Sequence, residues 1–263
     1  MALTTLPPGG PSASRAAIGA AVAARLDADP RMQRLPSDRI AAWRCLDFLD
    51  QPWCDWLIQV IDSNRRPSSL LSDRGDPRNR TSESCDMDRF ADGIRQVDES
   101  VAALLGIAPE FGETMQGQRY APGQLFRTHH DYFHEGESYW PRMRENGGQR
   151  TFTAMIYLNQ VEEGGATWFP QGGLRVAPRP GMLLAWDNMN PDGSPNTATL
   201  HEGMAVVEGT KYVVTKWFRE EPWGRAARAA AEAAAAAGQA GAGQAGAGQA
   251  GAASTDARAS AKR

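Results

Sequence analysis

Tyr120-Ala-Pro-Gly-Gln-Leu-Phe126-Arg-Thr-His129-His130-Asp131-Tyr-Phe133 is the stretch whose reading decides both the fold and the chemistry of this chain. The run from Phe126 to Asp131 is predicted to be a β-strand. Side chains alternate along a strand, so His129 and Asp131 should face the same way. An imidazole and a carboxylate side by side are two-thirds of a 2-His-1-carboxylate triad, the donor set that holds non-haem Fe(II) and leaves positions open. The chain has only four histidines, His129, His130, His134 and His201. His130 points to the opposite face from His129, and no acid stands two residues beyond it. His134 and His201 are followed two residues on by Gly136 and Gly203, so neither opens a second His-x-acid pair. His201 is therefore the predicted distal ligand. Taken alone, His129 and His130 also read as solvated loop histidines, because short motifs match by chance.

The C-terminal half decides between the two readings. Ten residues after His201 lies Lys211, in a segment running to Trp217 that alternates apolar and polar residues like a half-buried strand. A cation beside a metal site suits a dicarboxylate co-substrate such as 2-oxoglutarate. One end of that molecule chelates the metal, and the far carboxylate requires a charge-assisted hydrogen bond at fixed reach. Alone, Lys211 reads first as a surface lysine extended off a strand.

Taken together, the following segments resemble the prolyl 4-hydroxylase branch of the Fe(II)/2-oxoglutarate-dependent dioxygenases, the family of the procollagen-proline hydroxylase catalytic domain. They are Arg80-Thr81-Ser82, Gly112-Glu113, Tyr120 to Phe133, Gly147 to Arg150, Met155 to Asn159, Glu162 to Pro170, Leu200-His201 and Gly209 to Trp217. The resemblance covers about residues 36 to 220, with His-x-Asp, distal His and Lys in the family's order and spacing.

The resemblance implies that His129, Asp131 and His201 are the catalytic metal ligands, with Tyr157, Thr215 and Lys211 near the distal carboxylate of 2-oxoglutarate. Substrate-side residues would be Arg150, Trp217, Arg80 and Thr81. The implied reaction uses Fe(II), 2-oxoglutarate and O2, with L-ascorbate as rescuing reductant, to hydroxylate a peptidyl proline while 2-oxoglutarate is decarboxylated to succinate and CO2. Two positions depart from the family pattern: Phe126 stands for the usual tyrosine, and Arg219 for a histidine after Lys216-Trp217. Both are expected toward the substrate side. A related dioxygenase acting on a free amino acid or other small molecule, or a non-catalytic jelly-roll sensor of metal or 2-oxoglutarate, are the alternatives.

Composition sets the frame. The chain has 263 residues and a formal charge of −3, which points to neither a nucleic-acid nor a membrane partner. No obligate partner is expected beyond a proline-containing protein or peptide. No apolar run approaches the roughly 18 residues of a membrane span, and no secretory leader is evident. Cys45, Cys54 and Cys85 lack metal-ligand spacing and suit reduced thiols in the cytoplasm.

Three regions are predicted: an N-terminal extension over 1–35, partly disordered (1–12) and partly helical (Ser14 to Leu26); a dioxygenase domain over 36–220; and an Ala/Gly/Gln-rich disordered tail over 221–263. Within the domain, Asp50 should cap a helix whose stripe includes Trp53, Trp56, Leu57, Val60 and Ile61. Ser63 to Asp88 reads as a loop. A second helix should run from Asp88 to Leu105, with Phe90 on its stripe and Gly106 ending it. From Glu113 on, about eight short strands punctuated by Gly, Pro and Asn predict a mostly β fold with flanking helices, a double-stranded β-helix or jelly roll. One of these strands spans Ala198 to Val207. The insert His134 to Glu145 is expected as a rim loop.

Overall fold

The computed structural model describes residues 9–69 and 76–224. The expectations for residues 1–8 and for the tail from Arg225 fall outside the described residues. The first part of the chain gives α1 (Ala13–Ala28), β1 (Met32–Arg34), β2 (Ala42–Cys45), α2 (Gln51–Asn64), β3 (Arg66–Pro67), β4 (Glu83–Asp86) and α3 (Asp92–Leu105). Then come β5 (Gln116–Tyr120), β6 (Phe126–His129), α4 (Trp140–Glu145), β7 (Arg150–Tyr157), β8 (Glu163–Gly164) and β9 (Thr167–Phe169). The last strands are β10 (Leu174–Val176), β11 (Leu183–Asp187), β12 (His201–Gly203), β13 (Val206–Glu208) and β14 (Lys211–Arg219).

The strands form an eight-stranded sheet in the order β1-β2-β11-β7-β14-β5-β4-β3, a four-stranded sheet in the order β10-β9-β12-β6, and a β13-β8 pair. The large sheet is apolar on both faces, and its two-residue alternation sorts the residues into two cores. Phe152, Ala154 and Ile156 of β7, Leu183 and Ala185 of β11, and Val214 and Phe218 of β14 pack with the buried stripes of α1, α2 and α3. The intervening residues Met155, Tyr157, Leu184, Trp186 and Val213 pack with Phe169, Leu174 and Val176 of the small sheet. Helices thus back one face, and the second sheet covers the other. This is the expected jelly-roll plan, and the site lies between the sheets.

Local signals account for most helix boundaries. Asp50 accepts from Trp53 N at 3.1 Å as the cap of α2. Cys54, Leu57 and Ile61 form the buried stripe of α2, while Trp53, Trp56 and Val60 pack only at its margin. Gly106 closes α3 in the left-handed region, φ 71°, where a side chain would be strained. Phe90 does not join α3. Asp88 turns the chain, accepting from Phe90 N and, through its carbonyl, from Ala91 N, so the helix starts at Asp92 and Phe90 is left 81% exposed.

Three further expectations are corrected. The loop assigned to Ser63 to Asp88 contains β4, which extends the large sheet beside β5. Its Glu-Ser-Cys-Asp sequence carries no β-branched alternation that would mark a strand. The single strand expected over Ala198 to Val207 is broken into a 3₁₀ turn at Thr197–Thr199, then β12, then β13. The rim insert ends in a short helix, α4, with Pro141 in its first turn. Among the described residues, no helix is long and apolar enough to cross a membrane.

A buried ion pair joins the helical layer to the sheet. Lys216, on the helix-facing side of β14, donates to Asp98 of α3 and to Glu113 O at 2.7 Å, with both side chains buried. Breaking a buried pair strands the remaining charge. Lys216→Met should therefore lower unfolding free energy by about 3–5 kcal/mol, read from denaturant midpoints. Lys216→Met combined with Asp98→Leu should recover much of that loss.

Candidate active site

β6 and β12 pair antiparallel with His129 directly opposite His201, which sets the two imidazole centroids 4.3 Å apart. Asp131 is not in the strand as expected. β6 ends at His129, and Asp131 lies in the bend that follows, yet its carboxylate still turns inward. Its Oδ1 lies 3.8 Å from His129 Nε2 and its Oδ2 3.9 Å from His201 Nε2. The three donor atoms fall within 4.8 Å of one another.

The donor chemistry fits a divalent metal. His129 Nδ1 sits 2.8 Å from Arg127 O and His201 Nδ1 2.9 Å from Thr199 O. A proton held on each Nδ1 by those carbonyls leaves both Nε2 lone pairs free. Burial, aided by His201, pushes the His129 pKa down to about 3, so its ring is neutral at physiological pH. Burial alone would raise the Asp131 pKa, but His201, His129, Arg150 and the Thr153 hydrogen bond outweigh it, and the carboxyl stays below the usual range. Two imidazoles that each present Nε2, together with one carboxylate, are the 2-His-1-carboxylate set of non-haem Fe(II) sites.

Supporting groups hold these donors from behind. Thr153 Oγ1 donates to Asp131 Oδ2 at 2.8 Å and accepts from Asn188 Nδ2 at 2.9 Å, all within the core. His201 is wedged between Trp186 and Phe169, with centroids at 5.0 and 5.2 Å. His129 stacks on Phe126 at 3.6 Å, and the Arg80 guanidinium covers that ring at 4.7 Å.

The cavity beside the triad is lined by His129, Asp131, His201, Lys211, Thr215 and Trp217. Alternation along β14 brings the last three to one face. Lys211 is only 2% exposed. Its Nζ lies over the rings of Tyr120 and Tyr157, 5.2 and 5.6 Å from their centroids. Burial pushes its pKa down to about 7, with no carboxylate among the described residues raising it. Tyr157 does not line the cavity; its hydroxyl donates to Thr167 Oγ1 at 2.7 Å behind Lys211. Thr215 Oγ1 accepts from Gln118 Nε2 at 3.2 Å, and Gln118 Oε1 accepts from Tyr120 OH at 2.6 Å.

Gln118 and Tyr120 are cavity residues that sequence reasoning did not single out. The available signal was pairing: Tyr120 lies opposite Lys211, and Gln118 opposite Val213, on β5.

The substrate-side candidates are placed around this cavity, not in one row. Trp217 lines it, and Arg150 lies over the Trp217 ring at 4.2 Å, its fork occupied by Glu113 at 2.6 and 2.8 Å. Arg80 reaches the cavity only through Phe126 and donates to Gln116 Oε1 at 2.6 Å. Thr81 is exposed and bonded to the backbone of Leu125. Arg219, expected toward the substrate side, is instead buried beside Glu113 at 2.6 Å and donates to Gly148 O. Two residues past Trp217, Arg219 shares its alternation, but the register shifts after Phe218 and the Glu113 carboxylate draws the guanidinium into the interior.

Residues 115–219, which span β6, β7, β12 and β14, match the 2OG-Fe(II) oxygenase superfamily. Probable prolyl 4-hydroxylase 10 of Arabidopsis thaliana is 34% identical over 66% of this chain and 66% of its own length. Probable prolyl 4-hydroxylase 3 of the same plant is 32% identical over 65% of this chain and 66% of its own. This chain therefore spans just under two-thirds of the length of those relatives. The 2OG complex of the viral collagen prolyl hydroxylase of Paramecium Bursaria Chlorella virus-1 superposes with a TM-score of 0.54 at 26% identity, covering 68% of this chain and 95% of the viral one. The triad's geometry, the jelly roll that carries it and these likenesses agree with the match of residues 115–219 to the 2OG-Fe(II) oxygenase superfamily.

Proposed function

We propose that the protein is an Fe(II)- and 2-oxoglutarate-dependent dioxygenase that hydroxylates a peptidyl proline. The observation that carries this reading is one cavity holding both the His129–Asp131–His201 donor set and the buried ammonium of Lys211, which meets no carboxylate among the described residues. A metal sensor has no use for a carboxylate anchor at that depth. The two plant relatives and the viral structure, each named a prolyl hydroxylase, support the choice of substrate class.

His129, Asp131 and His201 would hold the ferrous ion. Bound there with 2-oxoglutarate, it supplies O2 activation coupled to decarboxylation to succinate and CO2, and delivery of a hydroxyl to the substrate C–H. Lys211 offers a positive group to the far carboxylate of the co-substrate, and Thr215, held by Gln118, offers a hydroxyl beside it. Trp186, Phe169 and Met155 exclude water from one side of the cavity. Trp217, backed by Arg150, offers an aromatic face to the pyrrolidine ring of a peptide. Ascorbate would serve as the reductant that returns oxidised metal to the ferrous state. Three free, buried cysteines suit a reducing compartment, and we assign the protein to the cytoplasm on that ground.

The test of the reading is an oxygen pulse over the anaerobic Fe(II)/2-oxoglutarate protein with a proline-peptide library. One equivalent of succinate per +16 Da peptide is expected, and none with proline-free controls. Turnover of a free amino acid with peptides ignored would favour the small-molecule alternative. Thr153→Val removes the donor to Asp131 and should weaken Fe(II) affinity about 10- to 100-fold, measured by anaerobic titration.

A third expectation concerns pH. The Lys211 ammonium is fully present well below its free-state pKa of about 7 and is lost as pH rises through it. A bound carboxylate raises that pKa again. Above pH 7, 2-oxoglutarate binding should therefore take up a proton and weaken by up to about tenfold per pH unit. Calorimetry in buffers of different ionisation heat reads both effects, and Lys211→Met should abolish them.

A further inference from the structure

α1 lies outside the matched residues 115–219, yet its N-terminal half touches Glu135, four residues after Asp131, and the 187–193 segment that leads toward His201. Ser12 caps the helix and donates its backbone N–H to Asp192 O at 3.0 Å. There Gly193 approaches so closely that a side-chain carbon would meet Ser12 O. Gly19, two turns further on, faces the Asp187 carboxylate with no room for a methyl group. Asp187 precedes Asn188, which holds the Thr153 hydroxyl that donates to Asp131.

The other contact is ionic. Arg15 is 6% exposed, although it stands on the first turn of a helix near the start of the chain. Its Nη1 donates to Glu135 Oε1 at 2.8 Å, its Nη2 to Gly10 O at 2.8 Å, and its Nε lies 3.7 Å from Glu220 Oε2. Glu135 and Glu220 are both tied to the fully buried Gln149. Gln149 N donates to Glu220 Oε1 at 2.8 Å, and Gln149 Nε2 reaches Glu135 Oε1 at 3.4 Å. The Gln149 amide in turn clasps Phe133 by both backbone groups, at 2.6 and 2.8 Å. Phe133 is two residues from Asp131, and its ring lies under the Arg150 guanidinium, which covers Trp217.

We propose that Arg15 is a positioning residue for the mouth of the site: its guanidinium neutralises Glu135 and Glu220 together and so holds the segment 131–135 against Gln149. Without that cation, two carboxylates face each other across Gln149, and their repulsion pushes Glu135, and Phe133 with it, away from the end of β14. The metal donors keep their own supports through Thr153, Arg127 O and Thr199 O. The displaced group is Phe133, and with it the seat of Arg150 and Trp217. The effect on peptide binding rests on the function proposed above; the effect on the segment does not.

Backbone hydrogen exchange on the full-length protein tests the segment directly. In Arg15→Ala, the Phe133 amide should exchange at least about tenfold faster, with β14 amides unchanged. Arg15→Ala combined with Glu135→Gln removes the repulsion and should bring Phe133 back to within about threefold of the parent rate. Arg15→Lys, which restores charge but not the fork, should fall between them. Simple loss of packing at position 15 would not be rescued by a change at 135. Unchanged Phe133 protection, or acceleration that Glu135→Gln does not reverse, overturns the proposal. In the kinetic arm, Arg15→Ala should raise the KM for a proline peptide about tenfold and leave peptide-independent succinate formation unchanged. A parent protein that turns over no peptide sinks the substrate reading, and the exchange arm still decides the role of Arg15.

Discussion

The pairing of β6 with β12 is the constraint on which the rest of the site depends. Residues separated by more than seventy positions are brought face to face because two short strands share an antiparallel ladder with His129 opposite His201. Neither strand is long enough to be stable alone. They are held by β9 on one flank and by the core that the small sheet shares with the large one. The donor triad is therefore a product of sheet packing. Its donors do not need to find one another by loop closure, because backbone hydrogen bonds have already set the spacing of two of them.

Much of this was legible in the sequence because alternation and rare residue types carry strong signals. With four histidines, one His-x-Asp and Lys211 on an alternating strand, four residues that line one cavity could be named in advance. The jelly-roll plan followed from short strands punctuated by turn residues. What was not legible depended on contacts across the chain. The Tyr120–Gln118–Thr215 chain arises from the register of β5 on β14, which no local pattern states. Arg219 reads as a mouth residue from its neighbours Lys216 and Trp217, but Glu113 draws it inward. Asp131 faces the cavity from a bend, not from a strand, so the expected orientation is reached by a different backbone route.

The helical signals were legible in kind and less so at their ends. Asp50 and Gly106 stop and start helices by mechanisms that belong to single residues, and both sit where they should. Phe90 has the spacing of a stripe residue, but Asp88 diverts the chain first. α4 and β4 went unseen because their sequences are charged or small and their stability comes from neighbours.

β14 buries two ammonium groups five residues apart, and an odd separation sends them through opposite faces of the sheet. One meets a waiting carboxylate on a helix; the other ends in an aromatic well of Tyr120 and Tyr157. A chain threaded one residue out of step would reverse both, marooning Lys216 in the well's neighbourhood and driving Lys211 into the hydrocarbon under the helices. The strand thus proofreads its own alignment, since a sheet slipped by one residue leaves both charges without a carboxylate, whereas the aligned one seats Lys216 on Asp98.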